Sequence, residues 1–168
     1  PAPYEVLTDI AAHLRATGFP LRTFLDVGCG AGRPLAFFSS LAFERMTGIE
    51  TNPDVAERAR QNMARIRPAW NRAGRIEILS ADVLTADVDF TGAVVYLANP
   101  FGRVTMQAFA AKLKAQLQAQ PDREILLYYV LPLQAEALAE AFPRAQQLLA
   151  GGPLEAWQFF RLDAASGG

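Results

Sequence analysis

Apolar side chains alternate along this chain between helical spacing and short continuous runs. Residues 4–16 repeat apolar positions at intervals of three and four, as on one face of a helix, with Gly18 just beyond its end. Residues 23–27 form a short apolar run that begins after Pro20 and ends at a glycine, which is typical of a buried strand. The chain is therefore predicted to open with a helix and a strand.

The same alternation continues over most of the sequence. Further helices are predicted at residues 34–43, 53–66, 104–119 and 133–142, and further strands at residues 45–50, 76–80, 93–97 and 124–130. Asn52 is the expected N-cap of the helix that follows it, with Pro53 at the first helical position. Two strand-like runs, residues 147–150 and 157–162, are joined by the short link 151–153 and should pair antiparallel.

Regular alternation of strand and helix indicates an α/β fold. We expect a mostly parallel sheet with helices on both faces, and therefore three layers. The C-terminal pair of strands should add an antiparallel strand at the edge of this sheet. The length of 168 residues fits a single domain.

Composition and charge narrow the classes of partner. Hydrophobic residues make up 51% of the chain and charged residues 20%, as in a globular protein with a core, and the net charge of −1 argues against a nucleic-acid partner. One cysteine excludes an intramolecular disulfide, and one histidine excludes a histidine cluster, so no metal site is expected. The chain shows neither a signal-peptide pattern nor an apolar run that could span a bilayer, so we expect a cytoplasmic protein with no membrane partner.

The segment 24–32, Phe-Leu-Asp-Val-Gly-Cys-Gly-Ala-Gly, ends the first strand in glycines. Glycine allows a sharp backbone turn and lets a ligand approach without meeting a Cβ. In an open parallel sheet, ligands bind at the carboxyl ends of the strands. A glycine turn between the first strand and the next helix therefore predicts a nucleotide-like site.

The order of the glycines narrows the class of ligand that the loop can bind. Arg33 stands where the dinucleotide fingerprint G-x-G-x-x-G requires its third glycine, and the phosphate-loop pattern G-x-x-x-x-G-K-[S/T] is missing from the sequence. Asp26, two residues before Gly28, would repel a diphosphate but favours a ligand that carries ammonium and sulfonium groups. A nucleotide-dependent oxidoreductase is thus an alternative, and a cationic nucleoside ligand fits the loop better.

Acidic residues follow the next two strands. Glu50 ends the second strand, about twenty residues beyond the loop, where its carboxylate can accept hydrogen bonds from ribose hydroxyls. Asp82 comes just after the third strand and can accept a hydrogen bond from an adenine amino group, beside the backbone N–H and apolar side chain of Val83. Carboxylates at three adjacent strand ends match the three polar parts of S-adenosylmethionine (SAM).

Segment 25–32 resembles the SAM-binding motif of class I methyltransferases, and Glu50 and Asp82 fall where that family places its ribose and adenine contacts. The resemblance, which spans residues 24–162, implies a Rossmann-like seven-stranded sheet with one antiparallel strand near the C-terminus. It also implies SAM as the cofactor and S-adenosylhomocysteine (SAH) as its product.

The resemblance implies a division of the domain and a set of contacts. A single domain of residues 1–168 would comprise an N-terminal helix (1–20), a cofactor-binding core (21–130), and a C-terminal helix with an antiparallel hairpin (131–168). The implied cofactor-binding residues are Asp26, Gly28, Cys29, Gly30, Gly32, Glu50, Thr51, Asp82, Val83 and Asn99. Cys29 is expected to be a small residue tolerated in the loop, and its position at a helix N-terminus can also lower the pKa of its thiol.

Asn99-Pro100-Phe101 follow the fourth strand, at the position that borders the reactive methyl group in this family. They are similar to the Asn/Asp-Pro-Pro-aromatic motif of amino-group methyltransferases, in which carbonyl oxygens align the target nitrogen and an aromatic ring packs on it. The resemblance thus implies Asn99, Pro100 and Phe101 as catalytic residues. This segment has one proline instead of two, and Phe101 comes one residue early.

The methyl acceptor is left open by this segment. Asn-Pro-Phe also resembles a little-described group of bacterial methyltransferase-like proteins, so the acceptor can be a small molecule or a protein. The leading prediction is a SAM-dependent methyltransferase, with an amine or amide nitrogen as one candidate acceptor. The alternative is a non-catalytic SAM-binding sensor or partner subunit, because the short chain leaves almost no inserted substrate domain.

Overall fold

The computed structural model describes residues 2–150 and 156–168, and within these ranges helices and strands alternate. The helices are α1 (Tyr4–Thr17), α2 (Arg33–Phe38), α3 (Pro53–Ala64), α4 (Arg103–Ala119) and α5 (Ala135–Ala141). The strands are β1 (Thr23–Val27), β2 (Arg45–Glu50), β3 (Arg75–Ser80), β4 (Ala93–Ala98), β5 (Glu124–Val130), β6 (Gln146–Ala150) and β7 (Trp157–Asp163). None of the described helices is both long enough and apolar enough to cross a membrane.

The strands form one seven-stranded sheet in the order β3-β2-β1-β4-β5-β7-β6. β1 to β5 pair parallel, whereas β7 pairs antiparallel with both β5 and β6. The predicted fold class, a mostly parallel sheet with one antiparallel strand near the C-terminus, is confirmed. The predicted link 151–153 between β6 and β7 lies outside the described residues.

The expectation of an antiparallel strand at the edge is wrong. The antiparallel strand is β7, which lies inside the sheet, and the edge strand β6 runs in the same direction as β5. β7 carries buried aromatic residues on both faces, Phe159 on one and Phe160 on the other, so it needs neighbours and cover on both sides. In β6, Leu148 and Leu149 are exposed, as an edge position allows.

Each strand of the sheet contributes to two cores, because successive side chains point to opposite faces. α1, α2 and α3 cover one face, where Leu7 and Phe24 belong to the same buried cluster. α4 and α5 cover the other face, where Leu25 and Phe109 are buried together. The three-layer arrangement predicted from the alternation is therefore present.

Three helices are shorter than predicted, and α3 ends only two residues early, at Ala64. α2 ends at Phe38 rather than at residue 43; Ser39 Oγ donates to the carbonyl of Ala36 at this end, and the chain then turns away. This turn brings Phe43 against Phe24, with ring centroids 5.3 Å apart. α5 begins only at Ala135, after a tight turn at residues 131–134.

The start of α3 and the crossover after β3 bear directly on the carboxyl edge of the sheet. Asn52 caps α3 as predicted, since its Oδ1 accepts from the N–H groups of Asp54 at 3.0 Å and Val55 at 3.3 Å. The β3–β4 connection, residues 81–92, contains no helix, and it runs beneath α4. Both features border the cavity described next.

Candidate functional site

A cavity of about 380 Å³ opens at the carboxyl edge of the sheet, between the ends of β1, β2 and β3 and the segment after β4. Residues that the sequence singled out make up more than half of its lining: Gly28, Glu50, Thr51, Asp82, Val83, Pro100 and Phe101. The remaining candidates lie in the adjoining loops and strand ends rather than in the lining itself: Asp26, Cys29, Gly30, Gly32 and Asn99.

A larger cavity of about 560 Å³ lies at the amino edge of the strands. Its lining mixes cations such as Arg22 and Arg45 with anions such as Glu44 and Asp87. Charges of both signs are typical of a solvated sheet edge, and parallel α/β sheets bind ligands at the opposite, carboxyl edge. We therefore assign the nucleotide-like site to the smaller cavity.

The glycine loop, residues 28–32, turns the chain from β1 into α2 through left-handed backbone conformations. Gly28, Gly30 and Gly32 have φ values of 71°, 53° and 83°. The backbone N–H groups of Gly28 and Cys29 donate to the carbonyl of Ile49, at 2.8 and 3.0 Å. A Cβ on Gly28 would lie 2.7 Å from Cβ of Pro100, so glycine here also permits close contact with the segment after β4.

Glu50 connects the end of β2 to the glycine loop. Its Oε2 accepts from the N–H of Gly30 at 3.0 Å, and its Oε1 accepts from the N–H of Asn52 at 3.0 Å. Oε1 also accepts from the Thr51 hydroxyl at 3.5 Å, whereas Oε2 has one partner and can accept a second hydrogen bond. Glu50 can therefore orient the loop and still contact a ribose in the cavity.

Asp26 is a buried carboxyl group with no partner. Its side chain is 1% exposed, and neither carboxyl oxygen has a hydrogen-bond partner among the described residues. Burial, and then the nearby Glu50, raise the pKa of Asp26 to about 8. Buried polar groups without partners are rare, and a cationic ligand group is the chemistry that would satisfy this one. Asp26 and the cavity beside it therefore fit the ammonium and sulfonium charges of SAM.

The expectation of a lowered pKa for Cys29 is wrong. Its side chain is 4% exposed and packs in the core formed with α1 to α3. Burial, followed by the charges of Asp26 and Glu50, raises the pKa of the thiol to about 12. Only the backbone of Cys29 is thus left to contribute to a cofactor site, and that contact stays a prediction.

Asp82 and Val83 lie at the start of the β3–β4 connection. Asp82 Oδ1 accepts from the N–H of Leu84 at 2.8 Å, which closes a turn at the rim of the cavity. Val83 is buried in the core beneath α4 and also lines the cavity. This arrangement offers a carboxylate and an apolar surface side by side, as the adenine of SAM would require.

The acceptor loop, residues 99–102, is held by a tyrosine that the sequence did not single out. Asn99 has a left-handed φ of 49°, and its Oδ1 accepts from the hydroxyl of Tyr129 at 3.0 Å. The same hydroxyl accepts from the N–H of Gln134 at 3.2 Å. Tyr129 is fully buried, and a tyrosine in an apolar strand whose hydroxyl needs a partner is the signal that could have drawn attention to it.

The fold has parallel strands between two helical layers, a left-handed glycine turn, and carboxylates at adjacent strand ends. Together these features define a Rossmann-like protein that binds a nucleoside cofactor. A family model described as a methyltransferase domain matches residues 24–120. The chain belongs to this family, the class I SAM-dependent methyltransferases, and SAM is its cofactor.

Relatives and solved structures agree with this assignment. The chain is 31% identical, over 144 residues, to the ribosomal protein L11 methyltransferase of Burkholderia mallei. This match covers 86% of the chain but only 44% of the relative, so the chain spans less than half the length of that enzyme. The corresponding protein of Burkholderia thailandensis is 30% identical with the same coverage.

Two solved structures show the same fold. N-methyltransferase NodS from Bradyrhizobium japonicum, in complex with SAH, has a TM-score of 0.55 and 17% identity, covering 83% of this chain and 76% of that one. Magnesium protoporphyrin IX methyltransferase from Synechocystis, with bound SAM, has a TM-score of 0.62 and 16% identity, covering 94% and 77%. The predicted family, fold class and cofactor are confirmed, and the matches favour an enzyme over a non-catalytic sensor.

Replacing Gly28 with alanine tests the close contact between the glycine loop and the acceptor loop. The matched control is Gly18→Ala, because Gly18 also has a left-handed φ, 66°, but a Cβ added there would meet no atom within 4 Å. Both variants should lose about 1–2 kcal/mol of stability from backbone strain. Gly28→Ala should lose more, since Pro100 must move, and calorimetry should show that it alone weakens SAH binding. Equal SAH affinity in the two variants would show that the contact is unimportant.

Replacing Asp26 with asparagine tests the buried carboxyl group. With a pKa raised from 3.8 to about 8, Asp26 is protonated in the folded chain and ionised in the unfolded chain between those values. Its contribution to stability is therefore present at low pH and falls as the pH rises through this window. Urea unfolding should show Asp26→Asn gaining about 1 kcal/mol or more over the parent from about pH 5 to about pH 8.

The same asparagine variant should bind SAH more weakly, by about tenfold, because an ammonium group beside Asp26 favours its ionised form and a neutral amide cannot supply that charge. Asp9→Asn, at an exposed position on α1, is the control for both measurements. A pH profile of stability shared by Asp26→Asn and the parent would contradict the assignment of the raised pKa.

Proposed function

We propose that this chain is a catalytic domain that transfers the methyl group of SAM to an amine or amide nitrogen positioned at the acceptor loop. The single observation that carries this proposal is the fixed carboxamide of Asn99, directly before Pro100 of the cavity lining. Tyr129 donates to one lone pair of Asn99 Oδ1, so a second lone pair stays available for an N–H of the acceptor.

Residues from three segments around the cavity would each contact a different part of the cofactor. Asp26 and the glycine loop would hold the amino-acid end, where the Asp26 carboxyl group, which has no partner among the described residues, would face the ammonium group. Glu50 and Thr51 would contact the ribose. Asp82 and Val83 would contact the adenine, by a carboxylate oxygen and an apolar side chain.

The chain's own contribution to the reaction is alignment. The sulfonium of bound SAM supplies an activated methyl group with a neutral thioether as the leaving group. Asn99 would orient the nitrogen lone pair, and Pro100 and Phe101 would exclude water beside it. Phe101 is braced for this role against Phe109 of α4, with ring centroids 5.6 Å apart. Positioning of this kind can account for a large part of a rate enhancement.

The relatives suggest a protein acceptor. Both Burkholderia proteins are ribosomal protein L11 methyltransferases, and we propose L11 as the first acceptor to test. An acceptor of this kind would place the reaction in the cytoplasm. The net charge of −1 gives no support to a nucleic-acid acceptor.

Methyl transfer from labelled SAM tests the proposal directly. Purified chain is incubated with L11, and separately with an extract fractionated into proteins and small molecules. Label in L11 is the expected result, and analysis of the labelled residue should show methyl on nitrogen. Label only in another fraction would refute L11 as the acceptor but leave the methyltransferase domain in place. SAH binding with no label in any fraction would favour the sensor over the enzyme.

Asn99 and Tyr129 can be tested together. Asn99→Ala should lower turnover by about a hundredfold and Tyr129→Phe by about tenfold, because each loosens the alignment of the acceptor. SAH affinity should stay within about twofold of the parent, since neither side chain lines the cofactor cavity. Tyr128→Phe is the matched control, because the Tyr128 hydroxyl bonds to His13 Nδ1, at 2.9 Å, on the opposite face of the same strand. Unchanged turnover in Asn99→Ala would refute its alignment role.

A further inference from the structure

The β3–β4 connection places two candidate cofactor contacts on an irregular segment of backbone. It carries Asp82 and Val83 to the rim of the cavity, yet residues 81–92 contain no helix that would satisfy their backbone groups. Val83 and Phe90 are buried, at 4% and 0% exposure, whereas Asp82, Thr85, Asp87 and Asp89 are exposed, so the connection lies partly against the core and partly in water. Backbone carbonyls away from water need hydrogen-bond partners. Local N–H groups bond to the carbonyls of Asp82 and Ala86, and side chains of α4 bond to others.

One lysine of α4 bonds to three carbonyls of the connection. Lys112 Nζ donates to the carbonyls of Val83 at 2.8 Å, Leu84 at 3.3 Å and Ala86 at 2.6 Å. An ammonium group has three N–H donors, and here one carbonyl is available to each. Lys112 thereby fixes the turn that directly follows Asp82.

Two glutamines on the same face of α4 also bond to the connection. Gln116 donates to the carbonyl of Val88 at 2.7 Å and accepts from the N–H of Phe90 at 2.9 Å. Gln120 donates to Asp89 at 3.5 Å. Lys112, Gln116 and Gln120 are spaced by four residues, so they lie on one face of the helix and follow the connection along its length.

The ammonium group of Lys112 also suits this position electrostatically. Its bonded partners are carbonyl oxygens, whose dipoles converge on the charge. Burial lowers the pKa of Lys112, and the carboxylates of Asp87 and Asp82 oppose that lowering. No neutral side chain offers three donors from one atom, so a lysine is well matched to three converging carbonyls.

We propose that Lys112 is a positioning residue for the adenine end of the cofactor, acting through the turn at Val83, Leu84 and Ala86. This inference rests on the proposed contact of Asp82 and Val83 with adenine. The turn's internal bond from the Leu84 N–H to Asp82 Oδ1 couples the lysine to the carboxylate. Loss of the Lys112 ammonium group should therefore weaken the contact with the adenine amino group more than it weakens the other cofactor contacts.

The test compares two ligands on the full 168-residue chain by calorimetry. SAH carries the adenine amino group, whereas in S-inosylhomocysteine an oxygen replaces it. The parent should bind SAH more tightly. Lys112→Met keeps the aliphatic stem and removes the donors, so its SAH affinity should fall about tenfold while its affinity for S-inosylhomocysteine changes by less than about twofold. The preference for adenine should thus largely disappear.

Lys114→Met is the matched control. Lys114 lies on the same helix two residues further on and is half-buried against Gly167 rather than bonded to the β3–β4 connection. It should keep both affinities. Lys112→Arg retains the charge but spreads its donors over a planar fork, so it should keep part of the preference for SAH. This variant also serves as the test if Lys112→Met does not fold.

Three outcomes would overturn the inference: an unchanged SAH affinity in Lys112→Met, an equal loss for both ligands, or a parent that does not distinguish them. Asp82→Ala separates this inference from the proposed role of Asp82, because alanine removes the acceptor oxygens. If Asp82→Ala loses the preference and Lys112→Met keeps it, the Asp82 contact stands while the positioning role of Lys112 fails; if Asp82→Ala keeps the preference, the Asp82 contact fails and the inference falls with it. Methyl transfer to L11 is measured separately, so failure of the acceptor proposal affects neither result.

Discussion

Helices cover both faces of the parallel strands, and this burial determines where polar chemistry can lie. Phe24 and Leu25, neighbours in β1, are each held in a different apolar core. A polar side chain in either core would lose its water, at a cost that an unpaired group cannot recover. At the carboxyl edge the strands end and backbone N–H groups, carboxylates and an amide stay accessible. The site is therefore concentrated in the glycine loop, the β3–β4 connection and the acceptor loop.

Asp26 is the exception to this rule, and the exception is informative. It lies in the middle of the sheet, next to Tyr96 in register, and neither its carboxyl oxygens nor the Tyr96 hydroxyl has a partner among the described residues. Such a group lowers the stability of the ligand-free fold and strengthens attraction for a cation, because the low local dielectric acts on both. Selection for fold stability alone would remove it, so its presence is best explained by the ligand.

Local patterns in the sequence predicted the elements and the identity of the cofactor, because strand periodicity, the cap at Asn52 and the order of the glycines depend on neighbouring residues. They did not predict that β7 would lie inside the sheet, because its position depends on which of the two C-terminal strands pairs with β5. They also missed Tyr129 and Lys112. Tyr129 bonds to a residue 30 positions away and Lys112 to carbonyls 26 to 29 positions away. Periodicity identifies the buried face of an element but not the partner that a polar atom on that face will meet.

Each of the three loops is irregular, and each is held by a hydrogen bond to at least one side chain from a neighbouring element. Glu50 accepts from Gly30 in the glycine loop, Lys112 donates into the β3–β4 connection, and Tyr129 donates to Asn99 in the acceptor loop. Prior ordering of this kind reduces the entropy that ligand binding would otherwise cost. The three side chains come from different elements, β2, α4 and β5, although the glycine loop and the acceptor loop also lie close together at Gly28 and Pro100. Loss of one of these bonds therefore acts first on its own loop, and a change in the acceptor loop reaches the glycine loop through that contact.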